Sequence, residues 1–98
     1  MRMSLKNRIE CKLNEAFSPS YLRVEDESHL HVGHQGHRPG GESHFHVTIV
    51  SAAFQGLNRI QRHQRIYVCL EEELRDGIHA LSLKIISPEE AEGLTELA

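Results

Sequence analysis

The spacing of apolar residues changes several times along this 98-residue chain, and that change constrains the fold more than any single motif. Spacing of three and four residues, typical of a helix, begins after the capping residue Ser4, at Leu5, Ile9, Leu13 and Ala16. Strict alternation, typical of a strand with one buried face, follows at Phe45, Val47 and Ile49. Because a chain of this length holds one domain, we expect helices and strands to share one hydrophobic core.

The boundaries of these elements follow from the residues that break each pattern. The first helix is expected to end at Phe17, because Pro19 disfavours helical geometry in the residue before it. Alternation predicts strands at Tyr21–Asp26, Ser43–Ser51 and Ile78–Ile86. The segment Glu27–Glu42, rich in glycine and histidine, is predicted to be a loop.

A helical region from Gly56 to about Arg75 is expected to divide near Arg62 or His63. One stripe of this region is predicted to face the core, and it comprises Leu57, Ile60, His63, Tyr67, Leu70 and Leu74, widened by Ile66 and Cys69. Ser87 and Pro88 are typical of the start of a helix, as its capping residue and first helical residue, and they predict the last helix of the chain. We therefore predict a single α+β domain over residues 1–90, in the order α-β-β-α-α-β-α, and an acidic tail at 91–98. Three strands form its sheet, and the helices pack on one face.

Composition narrows the classes of function. Eleven basic and fourteen acidic side chains give a net charge of −3, so the overall basic charge of a typical nucleic-acid binder is absent. No apolar run approaches the ~20 residues of a membrane span, and Met1–Leu13 lacks the apolar core of a signal peptide. Cys11 and Cys69 are too far apart for a zinc or redox motif. These features predict a cytoplasmic protein that does not contact a membrane.

Histidine is the unusual residue, since six of the eight histidines lie between His29 and His46. On spacing alone, His44 and His46 share a strand face that either chelates zinc or copper or is solvated. His79 falls in phase with apolar strand residues, which favours packing. His63 lies on the apolar helix stripe, and its position fits a buried, hydrogen-bonded role at least as well as a ligand role. No nucleophile motif, P-loop or dinucleotide fingerprint is present, so the sequence predicts that the chain is not an enzyme.

Several segments, in this order and spacing, resemble the BolA family over about Leu5 to Glu90. They include Asp26-Glu27-Ser28, Glu42-Ser43-His44-Phe45, Arg62-His63-Gln64-Arg65, Glu72-Glu73-Leu74 and Ile78-His79-Ala80-Leu81. The resemblance implies a class II KH-like α/β sandwich. KH domains grip nucleic acid with a G-x-x-G loop between two helices. Here that pattern, Gly33 to Gly36, lies between two strands, which weakens an RNA-grip interpretation.

The resemblance also implies a partner and a cofactor. BolA-like proteins pair with monothiol glutaredoxins and share a [2Fe-2S] cluster, in iron–sulfur cluster trafficking or iron homeostasis. The glutaredoxin supplies its cysteine and a glutathione thiolate, so no cluster is expected in the isolated chain, which is predicted to be a monomer or weak dimer. Imidazole is a suitable iron ligand. The implied ligands are His79 and His31, with His34 and His63 as further possibilities and His29 and His37 as weaker ones.

Two other functions compete with this interpretation. The region 57–75 is similar to a helix-turn-helix, and a DNA-binding transcriptional regulator would contact phosphates there, through Arg59, Arg62, His63 and Arg65. A metal buffer would instead use the crowded histidines without any partner.

Overall fold

The helices and strands follow one another in the order that the periodicity predicts. The computed structural model describes residues 4–27 and 44–93. In chain order the elements are α1 (Leu5–Phe17), β1 (Tyr21–Asp26), β2 (His44–Val50), α2 (Arg59–Cys69), α3 (Glu71–Asp76), β3 (Ala80–Ile86) and α4 (Pro88–Glu92). A short 3₁₀ turn, Ala52–Phe54, which the sequence did not predict, connects β2 to α2. No helix in this part of the chain is long and apolar enough to cross a bilayer.

The three strands form one sheet in the order β1-β2-β3. β1 runs antiparallel to β2, with Val24 opposite Val47. β2 and β3 run parallel, with Val47 opposite Leu83. Parallel neighbours require a crossover connection, and α2 and α3 provide it. The start of β3 therefore lies beside the start of β2.

The core lies between one face of the sheet and the helices. The apolar residues with no exposed surface come from α1, β2, the 3₁₀ turn, α2 and the residue after it: Ile9, Leu13, Val47, Ile49, Phe54, Ile66 and Leu70. Full burial of such a side chain stabilises the fold by roughly 1.5–3 kcal/mol. The predicted α+β class, with a three-stranded sheet and helices on one face, is confirmed.

The first helix has the predicted ends. The Ser4 side chain accepts a hydrogen bond from the Asn7 N–H at 3.1 Å, as a helix cap does. At the other end Ser18 adopts a left-handed conformation, with φ of 43°, and its N–H donates to the Asn14 carbonyl. The chain then enters β1 at Tyr21.

Two predicted boundaries are wrong. The break in the central helical region falls at Leu70, not at Arg62 or His63, because Leu70 leaves helical geometry, with φ of −102° and ψ of 18°. Asn58 and Gln61 form the capping box that starts α2 at Arg59. β3 begins at Ala80 rather than Ile78. The N–H groups of Gly77 and Ile78 both donate to the Glu73 carbonyl, which keeps Ile78 in the turn that ends α3.

The predicted core stripe of α2 is also wrong in part. Ile60 is 69% exposed and Tyr67 is 41% exposed, whereas Ile66 and Leu70 are fully buried. Apolar residues occur on two faces of this helix, and three- and four-residue spacing fits either face. Only packing against α1 and the sheet decides which face is the core.

A buried carboxylate connects α1 to α3. Glu73 has no exposed surface. Its Oε2 accepts from Arg8 Nε at 3.0 Å, and Lys12 Nζ lies 2.9 Å from its Oε1. Oε1 receives no hydrogen bond of good geometry within the described residues, so the ion pair with Lys12 is its compensation. The close contact with the Glu73 carboxylate raises the pKa of Lys12 above its ordinary value, against desolvation.

We expect the double variant Arg8→Met, Lys12→Met to destabilise the fold by about 3 kcal/mol, because Glu73 would remain buried without a cation. Adding Glu73→Met should recover most of this loss, since no buried charge is left. Urea unfolding followed by circular dichroism measures each difference. Arg65→Met, at an exposed site, is the matched control and should change the unfolding free energy by less than ~0.5 kcal/mol. If the triple variant is no more stable than the double variant, Glu73 is not the source of the loss.

Candidate functional site

Two histidines meet where β2 and β3 begin. His44 is the first residue of β2 and is paired with Ala80, so it lies beside His79 in the turn before β3. The two imidazole rings are 6.4 Å apart between centroids, with 24° between their planes. Sequence reasoning did not predict this contact. The signal for it was present, because a parallel pairing of the segments around His44 and His79 places their starting residues side by side.

His79 is exposed. Its phase with Leu81 favoured packing when only the spacing was considered, and that interpretation is wrong, because β3 begins after His79 and the side chain stays outside the core. An exposed imidazole is available to a partner protein. The resemblance to the BolA family had assigned this same residue as a ligand.

The long segment 28–43 is joined to the same edge of the sheet. The Glu27 N–H donates to the His44 carbonyl at 2.8 Å, so the chain leaves β1 and enters β2 at adjacent points. The predicted ligand His31 and its alternative His34, together with His29 and His37, lie outside the described residues. So does the Gly33 to Gly36 pattern.

The described residues do not form a complete metal site by themselves. Within residues 4–27 and 44–93, no group of three or more His, Cys, Asp or Glu side chains is placed to hold a metal ion. Two imidazoles at His44 and His79 are nitrogen donors that suit iron, but further ligands have to come from elsewhere.

The other histidines have separate surroundings. His46 is half-buried on the face of β2 opposite the core residues Phe45 and Val47. Its neighbours on the adjacent strands are Glu25 and Ser82. His63 lies on α2, with its Nδ1 2.9 Å from the Arg59 carbonyl oxygen and its ring 6.5 Å from that of Tyr67. The predicted possible ligand His63 is therefore engaged within its own helix.

The arginines proposed for DNA contact differ in their availability. Arg62 has only 13% of its side chain exposed. It donates to the Leu57 carbonyl at 2.9 Å, to the Ile85 carbonyl at 3.0 Å and to Glu90 at 2.6 Å. These bonds connect α2 to β3 and α4. Arg59 and Arg65 are exposed on α2 and are open to a phosphate.

A groove of about 470 Å³ lies between the start of α2, β3 and α4. Its basic side chains are Arg59, Arg62 and Lys84, and Leu57 and Leu83 contribute apolar surface. Basic and apolar groups together suit a nucleic-acid backbone with its sugars. This groove is the feature of the structure that best suits the DNA-binding alternative.

Glu90 also lines this groove, bonded to Arg62, and should make stability depend on pH. The Ser87 N–H, Arg62 and the Ser87 hydroxyl lower the pKa of Glu90 from 4.5 to about 2. The stabilisation is present above pH ~4.5 and is lost as the pH falls towards 2. Because the side chain is 54% exposed, we expect Glu90→Gln to cost about 1 kcal/mol at pH 7 and much less at pH 2. Thermal unfolding at both pH values tests this, with Glu89→Gln as control. A cost that persists unchanged at pH 2 would contradict it.

Comparison with known proteins finds relatives that carry BolA names. Residues 13–90 match the family model described as BolA-like protein. The chain is 49% identical over 88 residues to "DNA-binding transcriptional regulator BolA" of Haemophilus influenzae, covering 90% of this chain and 82% of that protein. It is 41% identical over 80 residues to human "BolA-like protein 1", covering 82% of this chain and 56% of that protein.

A solved structure agrees with the fold. The BolA domain of SufE1 from Arabidopsis thaliana has a TM-score of 0.80 and 43% identity to this chain, and the match covers 92% of this chain and 99% of that domain. These relatives carry the names of a regulator and of BolA-like proteins rather than of enzymes, which fits the expectation of a non-enzymatic role.

Proposed function

The chain belongs to the BolA family, and from that premise we propose that it is an adaptor that binds a monothiol glutaredoxin and shares a [2Fe-2S] cluster with it. The single observation that carries the proposal is the exposed His79 beside His44, at the edge of the sheet where the segment 28–43 is attached. An exposed imidazole in the turn before β3 is accessible to a cluster that another protein binds through thiolates.

The second ligand from this chain is His31, with His34 as the alternative. His31 is four residues beyond Glu27, a length of chain that spans at most ~14 Å. A ligand from this segment is therefore tethered to the edge that carries His79. His63 is a weaker candidate, because its Nδ1 already contacts the Arg59 carbonyl oxygen.

The cysteines of this chain support a division of ligands between two proteins. Cys69 is half-buried, its thiol donates to the Lys12 carbonyl at 3.6 Å, and burial raises its pKa above the ordinary value. A thiol in that state is a poor metal ligand, since the thiolate is the binding form. Cys11 is exposed, but it belongs to α1 and not to the turn before β3 that carries His79. The proposal assigns the thiolates to the glutaredoxin cysteine and to glutathione.

We expect His79→Ala to alter the visible circular dichroism of the complex, because one iron would lose a nitrogen ligand. The chain, a monothiol glutaredoxin and glutathione are reconstituted with iron and sulfide without oxygen. His46→Ala, two residues beyond His44 along β2, is the matched control and should leave the spectrum unchanged. An unchanged spectrum for His79→Ala would reject the ligand assignment, and no complex at micromolar concentration would reject the adaptor function.

The same reconstitution separates the candidates in the segment 28–43. His31→Ala should reproduce the spectral change of His79→Ala, whereas His34→Ala should behave as the wild-type chain. The opposite pattern would transfer the ligand role to His34. If neither substitution changes the spectrum, the second ligand of this chain lies elsewhere.

A second candidate function is DNA-binding regulation. It is favoured by the basic groove beside α2 and by the printed name of the Haemophilus influenzae relative. The exposed Arg59 and Arg65 are its candidate phosphate contacts, while Arg62 is engaged by Leu57, Ile85 and Glu90.

For this function we expect the double variant Arg59→Ala, Arg65→Ala to weaken DNA binding and to reduce the slope of log affinity against log salt by about 2. Fluorescence anisotropy at several salt concentrations measures both quantities. Arg75→Ala, an exposed arginine on α3, is the single-charge control and should leave the slope unchanged. Equal binding by the double variant and the wild-type chain would remove α2 from any DNA contact.

A further inference from the structure

The outer edge of β3 is not paired with another strand of the described sheet. The sheet order β1-β2-β3 gives β3 one neighbour, β2. The Ile85 carbonyl points away from β2, because it accepts a hydrogen bond from Arg62 of α2 at 3.0 Å. Backbone groups alternate between the two sides of a strand, so the N–H and C=O groups of Leu81 and Leu83 point to the same outer side as those of Ile85. We call these three residues the β3 edge.

Most backbone groups of the β3 edge have no partner among the described residues. Within residues 4–27 and 44–93, no hydrogen bond from another element reaches the N–H or C=O of Leu81 or Leu83, or the N–H of Ile85. Donors and acceptors therefore alternate along the edge at the spacing of a strand. An edge of this kind is a template for pairing with a further strand.

The basic groove runs beside this edge and leaves room for an extended segment. Its volume is about 470 Å³, and its lining joins Leu83, Lys84 and Ile85 of β3 to Leu57 and Arg59 near the start of α2. Arg62 occupies only the Ile85 carbonyl at the end of the edge. The backbone groups before it therefore remain accessible from the groove.

The side chains of the groove define the chemistry of a segment that would fit. Leu83 packs against the core, whereas Lys84 is exposed on the other face of β3. Lys84 and Arg59 make no ion pair within the described residues, while Glu90 is paired with Arg62. Apolar neighbours and opposite charges stabilise adjacent strands. A fitting segment therefore carries an apolar residue beside Leu83 and an acidic residue beside Lys84.

We propose that the β3 edge binds an extended peptide segment of another protein, in which apolar and acidic residues alternate, as an added strand of the sheet. The alternation of donors and acceptors favours a peptide over DNA. Phosphate oxygens accept hydrogen bonds but donate none, so the carbonyls of Leu81 and Leu83 would face anionic oxygens without a donor. A second copy of β3 would bring its own Lys84 and no acidic residue, so like charges would meet.

The probe is a synthetic peptide of about seven residues in which valine and glutamate alternate, as in a strand with one apolar face. NMR measurement of amide hydrogen exchange should show slower exchange of the N–H groups of Leu81, Leu83 and Ile85 when the peptide is bound, because these donors become hydrogen-bonded. Methylation of alternate peptide nitrogens, in the phase that faces β3, removes the donors and keeps the charge. It should weaken binding about tenfold, measured by fluorescence anisotropy.

A charge swap tests the acidic preference. Lys84→Glu should weaken binding of the glutamate peptide about fivefold, and a peptide with lysine in place of glutamate should recover most of this loss on the Lys84→Glu chain. Arg75→Glu, the same charge change on α3, is the matched control and should leave binding unchanged. The measurement contains no iron and no glutaredoxin, so its result is independent of the proposed cluster.

Two results would overturn the proposal. One is the absence of peptide binding at concentrations up to about 1 mM. The other is binding that methylation of the peptide does not weaken, because charge alone would then hold the peptide. If a DNA duplex slows exchange of the Leu81 and Leu83 N–H groups and the peptide does not, the proposal is wrong and the groove belongs to DNA.

Discussion

The parallel pairing of β2 with β3 is the constraint on which the rest of the molecule depends. Parallel strands cannot be joined by a tight turn, so the chain has to cross the sheet, and α2 and α3 make that crossing. The crossing covers Phe45, Val47 and Ile49 and so completes the core. It also brings the starts of both strands to one edge, where His44 and His79 meet. The packing arrangement and the candidate site therefore have one cause.

Charged side chains hold the crossover in place, which changes how the basic residues are interpreted. Arg62 fastens α2 to β3 and α4, and Lys12 and Arg8 fasten α1 to the buried Glu73 of α3. A basic residue near a helix junction is easily taken for a phosphate contact. Three arginines of α2 were predicted to contact DNA. Of these, Arg59 and Arg65 are exposed and available to a nucleic acid, whereas Arg62 is not.

Local patterns predicted the parts of the fold that local physics decides. Alternation identified β2, and the cap at Ser4 and Pro19 bounded α1. The core face of α2 was predicted only in part, because two apolar faces on α2 fit the same spacing and packing decides between them. The exposure of His79 was missed for a related reason, since its phase is that of β3 but its position precedes the strand. The meeting of His44 and His79 is a tertiary fact that requires the strand pairing to be known.

The proposed adaptor function depends on direct binding of imidazole nitrogen from this chain to the iron of a cluster shared with a glutaredoxin. Electron–nuclear double resonance tests it directly, on the reduced complex prepared with this chain ¹⁵N-labelled at histidine and an unlabelled glutaredoxin. We expect strong ¹⁵N couplings from directly bound nitrogen, with one of them lost in His79→Ala. A cluster-containing complex without any strong ¹⁵N coupling would contradict it.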